Sequence, residues 1–260
     1  MIRMRLLYLL LLIVVLSCSH KVEQETALCE YIAHAGGAID GYVYTNSLEA
    51  MENAAALGYR YIELDLQYTA DSVLVAAHSW GDFNRITGFV HCGDTAPVLK
   101  EFVARRIYGK YTPVTLNDIN DFFTRHKELF LVTDKVSDVQ VLNEAFPSLK
   151  ERMVVEAFSY DDYRNLLSDG YYRVLYSCMA EDLYSSLVKH MMLHALFQGP
   201  KIEWLALHTS AAEYPFFALI NTLCDFKTAL FTVNDISLIP DVFDERLRML
   251  YTDSIVPCNR

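Results

Sequence analysis

The sequence predicts a (β/α)8 TIM barrel with a β-hairpin and a long loop inserted after the second strand, and three observations predict it. Eight short apolar runs of strand length alternate with seven stretches of helical periodicity. The 260 residues, 53% of them hydrophobic, suffice for one barrel-sized core. Acids and histidines collect at the C-terminal ends of the first runs, where a barrel keeps its chemistry.

Residues 1–17 stand outside that domain. Arg3 and Arg5 precede the apolar run Leu6 to Leu16, shorter than a bilayer span, and Ser17-Cys18 closes it. That is the layout of a signal peptide. Val15-Leu16-Ser17-Cys18 is similar to a bacterial lipobox, so the expected product is an exported lipoprotein, lipidated at Cys18 and anchored to a membrane in the periplasm or at the cell surface. A polar tether covers 19–27, and the barrel domain is expected over 28–258.

The expected strands are Cys29 to His34, Tyr61 to Gln67, Leu129 to Asp134, Met153 to Phe158, Arg173 to Ser177, Glu203 to His208, Thr228 to Val233 and Met249 to Asp253. Helical patterns occupy Ser47 to Leu57, Leu116 to His126, Val139 to Phe146, Tyr160 to Leu167, Glu181 to Phe197, Ala211 to Cys224 and Ile236 to Phe243. Asn46, Ser159, Ser210 and Asp235 are the expected N-caps. Val73 to His78 is a ninth apolar run, and the turn-forming Thr69-Ala70-Asp71-Ser72 before it folds it back on the second strand as a hairpin. A loop from Gly81 to Pro113 follows, of the length that shapes a substrate pocket.

Spacing concentrates the chemistry between residues 31 and 80. Glu63 and Asp65 lie two apart on a strand, so both carboxylates face one way and invite a cation. Antiparallel return of the hairpin brings His78 opposite Glu63 or Leu64, and His34 ends the neighbouring strand. With Asp134 at the end of the third strand, one site is expected.

Composition removes other readings. The formal charge is −11, more negative still without Arg3 and Arg5, and no basic stripe offers itself to nucleic acid. Beyond Cys18 there are Cys29, Cys92, Cys178, Cys224 and Cys258, with no CxxC pair, which argues against zinc. Cys29 and Cys258 flank strands that adjoin in a closed barrel, and export makes a disulfide between them an expectation to test. Cys178 and Cys224 read as small buried residues. His190 and His194 share a helix face, but Met191 stands where HExxH chemistry needs glutamate, so they read as surface or packing residues.

An ordered set of motifs then carries a resemblance: His34-Ala35-Gly36-Gly37, Thr45-Asn46-Ser47, Glu63-Leu64-Asp65, His78-Ser79-Trp80, Thr133-Asp134-Lys135, Thr232-Val233-Asn234-Asp235 and Thr252-Asp253. Together they resemble the glycerophosphodiester phosphodiesterases, within the phosphatidylinositol phospholipase C-like barrels, as a divergent branch. The resemblance implies hydrolysis or internal transfer at a phosphodiester, aided by Ca²⁺ or Mg²⁺ on Glu63 and Asp65. His34 and His78 would be the acid/base pair. The departures are Ala35 for an arginine, Thr45 for a glutamate, Ser79 for an aspartate, and Thr133-Asp134-Lys135 for an ExK.

Asp134 is the preferred third metal ligand, ahead of Thr133 and Glu156, and Lys135 is the expected phosphate contact. Trp80, with Tyr42, Tyr44 and Phe83, is read as lining a substrate cleft or simply covering the barrel mouth. Asn46 is read as a substrate ligand or a helix cap. The substrate expected is a small or lipid-derived phosphodiester. Two rivals stand beside hydrolysis: a lyase forming a cyclic phosphate, and a non-catalytic surface binding protein on a degenerate barrel.

Overall fold

The computed structural model describes residues 29–177, 200–213, 226–243 and 246–257. The signal segment, Cys18, the Glu181 to Phe197 helix with His190 and His194, and Cys178, Cys224 and Cys258 lie outside the described residues, and so does the expected Cys29–Cys258 pairing.

In chain order the described strands are β1 (Glu30–Ala33), β2 (Tyr61–Tyr68), β3 (Leu74–Ala76), β4 (Val114–Thr115), β5 (Phe130–Asp134), β6 (Met153–Ala157), β7 (Val174–Ser177), β8 (Trp204–His208), β9 (Lys227–Phe231) and β10 (Leu247–Thr252). Eight of them pair in parallel around a closed ring, β1-β2-β5-β6-β7-β8-β9-β10. Ile32 paired with both Tyr61 and Tyr251 seals the seam. This is the expected (β/α)8 barrel.

Alternation along each strand sorts the side chains. Ile32, Tyr61, Val132, Val154, Leu175 and Tyr251 fill the barrel interior, while Ile62, Leu64, Leu131, Val155 and Leu250 pack under the helices. Carried upward, the same parity aims Glu63, Asp65, Asp134 and Glu156 into the upper interior. It sends Thr133 outward, into the layer between strand and helix, so Thr133 is not placed to share a ligand with Glu63.

Helix starts follow their caps. The side chains of Ser47, Asp138 and Ser159 accept backbone N–H bonds at the starts of Leu48–Ala56, Val139–Ala145 and Tyr160–Ser168. Thr115 and Asp118 form a capping box before Leu116–Arg125. The cap expected at Asn46 belongs to Ser47, because Asn46 takes φ +46° and turns its amide to β2. Around the N-terminus of that first helix, Gly37 has φ +93°, and a Cβ there would sit 3.2 Å from Cβ of Ala54. Only glycine suits both conditions.

Two stretches differ from expectation. Between Gly81 and Pro113 the chain is not an unstructured loop but holds helices Trp80–Ile86 and Leu99–Ala104. β3 pairs antiparallel with β2 and with β4, and a separate small core of Val75, Phe83, Phe102, Ile107 and Tyr111 closes beneath. Helices of seven and six residues are too short for periodicity to reveal. Ile236 to Phe243, expected as one helix, makes two 3-10 turns, Ile236–Leu238 and Asp241–Phe243. Pro240 explains the break: it lacks an N–H and keeps Ile239 extended.

Candidate active site

The mouth of the barrel holds the predicted residues at the ends of β1, β2 and β5. Glu63 and Asp65 point upward from β2, and Asp65 pairs in register with Asp134 on β5. One carboxylate oxygen of each of the three lies within 4.8 Å of the others. Glu63 and Asp65 are 2% exposed, so their charges are not relieved by water.

Each acid is held differently. The N–H of Ala35 donates to Oε2 of Glu63 at 2.6 Å, whereas Oε1 is buried with no partner among the described residues. Asn46 clamps Asp65 in both directions: its Nδ2 donates to Oδ2 at 2.9 Å and its Oδ1 accepts the Asp65 N–H at 3.1 Å. Nζ of Lys135 donates to Oδ1 of Asp65 at 2.6 Å and also to the carbonyl of His78. Burial, then the neighbouring acids Asp65 and Asp134, raise the Glu63 carboxyl well above its ordinary range. Asp134 is pushed up to about 6 by burial and by Asp65. For Asp65 burial acts the same way, but Lys135 and Asn46 outweigh it and hold the carboxyl low.

This donor set fits a hard divalent cation. Three carboxylates converge, one carries an orphaned buried oxygen, and their mutual repulsion is what a cation would relieve. Glu156 lies deeper, its carboxyl accepting from the Tyr251 hydroxyl and pushed up to about 8 by burial and by Asp134. It is not part of the three-carboxylate group.

Two histidines flank the acids, and both are backed by carboxylates. Nδ1 of His34 lies 3.0 Å from Oδ1 of Asp253 and 3.3 Å from Oγ1 of Thr232. Asn234 holds that aspartate through its Nδ2 at 2.9 Å and accepts the Asp253 N–H at 2.8 Å. Nδ1 of His78 lies 2.8 Å from Oδ2 of Asp82, which also accepts the Ser79 hydroxyl. A carboxylate only accepts, so Nδ1 carries the proton in both rings and Nε2 is left for chemistry. The ring of Tyr44 stands edge-on to both, with centroids 4.6 Å from His34 and 4.9 Å from His78.

Four non-glycine residues of this mouth, Ala35, Tyr44, Asn46 and Lys135, have φ between +46° and +70°. Each such residue costs on the order of 1 kcal/mol or more; the hydrogen bonds just described hold Ala35, Asn46 and Lys135 there, and Tyr44 packs between the two imidazoles. Trp80 is half-buried in the insertion, edge-on to Phe83 and Phe102. Tyr42 stacks on Tyr108 at 4.0 Å.

Sequence reasoning did not single out Asp82 or Tyr44 as partners of the histidines. Asp82 had a legible signal, since Ser79 three residues before an acid is a helix-start pattern and i,i+4 spacing sets Asp82 on the His78 side. Tyr44 had none.

The sequence profile described as the glycerophosphoryl diester phosphodiesterase family matches residues 36–167, half of the chain. No curated protein matches significantly. Among solved structures, a protein from Agrobacterium tumefaciens assigned as a glycerophosphoryl diester phosphodiesterase superposes with a TM-score of 0.66 at 16% identity, covering 88% of this chain and 94% of its own. A glycerophosphodiester phosphodiesterase from Parabacteroides distasonis gives 0.60 at 19%, covering 88% and 94%. A phosphodiesterase from Oleispira antarctica, solved with the product sn-glycerol-3-phosphate, gives 0.60 at 20%, covering 87% and 93%. At these identities the likeness establishes the barrel.

Barrel and profile together define a phosphoric diester hydrolase. Within that class, the chain belongs to the glycerophosphoryl diester phosphodiesterase family.

Proposed function

We propose that this protein hydrolyses glycerophosphodiesters or related phospholipid-derived diesters with the two histidines as acid and base and a divalent cation, Ca²⁺ or Mg²⁺, on Glu63, Asp65 and Asp134. The observation that carries it is the pair of carboxylate-backed imidazoles standing one ring apart, across Tyr44, above the acids. The cation, when bound, neutralises the phosphate and the charge that grows on its oxygens.

The chain's own groups do the rest. Asp253 keeps Nδ1 of His34 protonated, so Nε2 takes the proton of the attacking water or hydroxyl. Asp82 does the same for His78, whose ring lines a cavity where a departing alcohol fits, so its Nε2 returns the proton to the leaving oxygen. Lys135 supplies a fixed positive charge beside Asp65 and is the proposed contact for a phosphate oxygen. Asn46, rather than contacting substrate, sets the direction of Asp65. Trp80 is proposed to shape the wall behind His78 through the insertion core.

The proposed setting is outside the cytoplasm, on a lipid anchor at Cys18; the mass of the mature N-terminal peptide tests it. The reaction is tested by phosphorus NMR of glycerophosphocholine and glycerophosphoinositol incubated with the protein and Ca²⁺, Mg²⁺ or EDTA. Metal-dependent release of glycerol phosphate supports the proposal. A cyclic phosphate as end product assigns the chain to transfer, and no turnover under any condition removes the proposal.

A further inference from the structure

A cavity of about 250 Å³ opens beside His78, and Tyr44, whose ring also stands against His34, forms part of its wall. Val43 and Ile86 form its apolar side. Its polar groups come from the insertion: Asp82, Arg85 and Tyr108.

Arg85 is the group whose role the reaction has not used. Its Nη2 donates to Oδ1 of Asp82 at 2.9 Å, and the Tyr108 hydroxyl is a further hydrogen-bond partner. A guanidinium has five N–H donors, so several remain for a ligand. The side chain is 60% exposed, with room to meet one.

Asp82 is shared between Arg85 and His78. One oxygen takes Arg85, the other takes His78 and Ser79. When His78 carries the proton destined for the leaving group, two positive groups face the cavity against one carboxylate. A quaternary ammonium there meets repulsion, whereas a hydroxyl-rich alcohol finds donors.

We propose that Arg85, with Tyr108, is a specificity determinant that selects a leaving alcohol rich in hydroxyl groups and free of positive charge, of the size of glycerol or a cyclitol. This rests on the phosphodiesterase reading above and on His78 as the acid of that reaction. The surrounding volume suits a six-membered polyol ring, and the open rim lets it enter alongside the phosphate.

The test compares kcat/KM for glycerophosphoinositol and glycerophosphocholine in the wild type, Arg85→Gln and Tyr108→Phe. The wild type is expected to prefer the inositol diester about tenfold or more, and Arg85→Gln to reduce that ratio about tenfold, chiefly through KM, the scale of one lost charge-assisted bond. A purely structural role for Arg85, acting through Asp82, would lower kcat on both substrates and leave the ratio unchanged. That result, or a wild-type preference for choline, overturns the inference. Absence of turnover on both substrates defeats the phosphodiesterase reading instead. Calorimetric binding then still decides the cavity: about tenfold weaker binding of glycerophosphoinositol by Arg85→Gln supports it, and equal binding overturns it.

Discussion

Asp82 Oδ2 lies 2.8 Å from Nδ1 of His78, one helical turn further along the chain than the adjacent position where the family places an acid and this sequence has Ser79. The carboxyl is held well below its ordinary range by Arg85 and then by Ser79 and His78, so it stays ionised at any working pH. Asp82→Asn keeps the shape but reverses the preferred imidazole tautomer. Turnover is expected to fall about hundredfold with circular dichroism unchanged; activity within twofold of wild type would show that His78 needs no such partner.

Among the described residues Lys135 is the only positive side chain hydrogen-bonded to any of the three carboxylates, and it bonds Asp65. Lys135→Met leaves Asp65 buried without its counter-charge, while Glu63 and Asp134 remain beside it. In EDTA the stability is expected to drop by roughly 2–3 kcal/mol, less than for most broken buried pairs because the ammonium is partly exposed. Ca²⁺ should recover most of the loss in a urea titration, since a cation answers the same repulsion.

Phe102 is fully buried and stacks on Phe83 at 4.7 Å in the insertion's separate core. Phe102→Ala is expected to cost about 3 kcal/mol locally. Hydrogen exchange should quicken across 79–113 while the barrel strands keep their protection, and turnover should fall because Asp82 loosens with the insertion. Uniform loss of protection would mean that insertion and barrel form one cooperative unit.

Gly37→Ala tests the turn after His34. Its φ of +93° and the 3.2 Å approach to Ala54 are both incompatible with a side chain, and a loss of about 2 kcal/mol in urea denaturation is expected.

Cys29 is pushed up to about 12 by burial and then by Glu30, with Arg248 opposing. The thiol is therefore neutral at pH 8, and reduced protein should alkylate at residue 29 at least about a hundredfold more slowly than it does in urea. Mass spectrometry of that peptide across pH 7–11 measures it; a rate that climbs near pH 9 contradicts the burial.

The barrel was legible because each strand's apolar run is bounded by turn or cap residues, and because the acids at their ends share one parity. Glu63 and Asp65 could be grouped from spacing and Asp134 added from its place at a strand end, and the hairpin register follows the turn at Ala70-Asp71: Leu66 pairs with Ala76, and the Ala77 N–H reaches the Asp65 carbonyl. The insertion was not legible, since its helices are short and its core of Phe83, Phe102 and Tyr111 is assembled from residues with no common period. The cap expected at Asn46 falls on Ser47 because asparagine suits an N-cap and a left-handed φ alike, and sequence does not separate the two. Tyr44 is read from sequence as lining the cleft or covering the mouth, but its place between the two histidines depends on its own left-handed turn, not on any local pattern.

The central claim is one site in which His34 and His78 act together on one diester. It is tested most directly by kcat for His34→Ala, His78→Ala and the double variant, on glycerophosphoinositol with Ca²⁺. Each single change is expected to lower kcat at least about a hundredfold, with the double variant no slower than the worse single one, as for groups that act as a unit. Losses that multiply in the double variant, or either single variant retaining near-wild-type turnover, would contradict it.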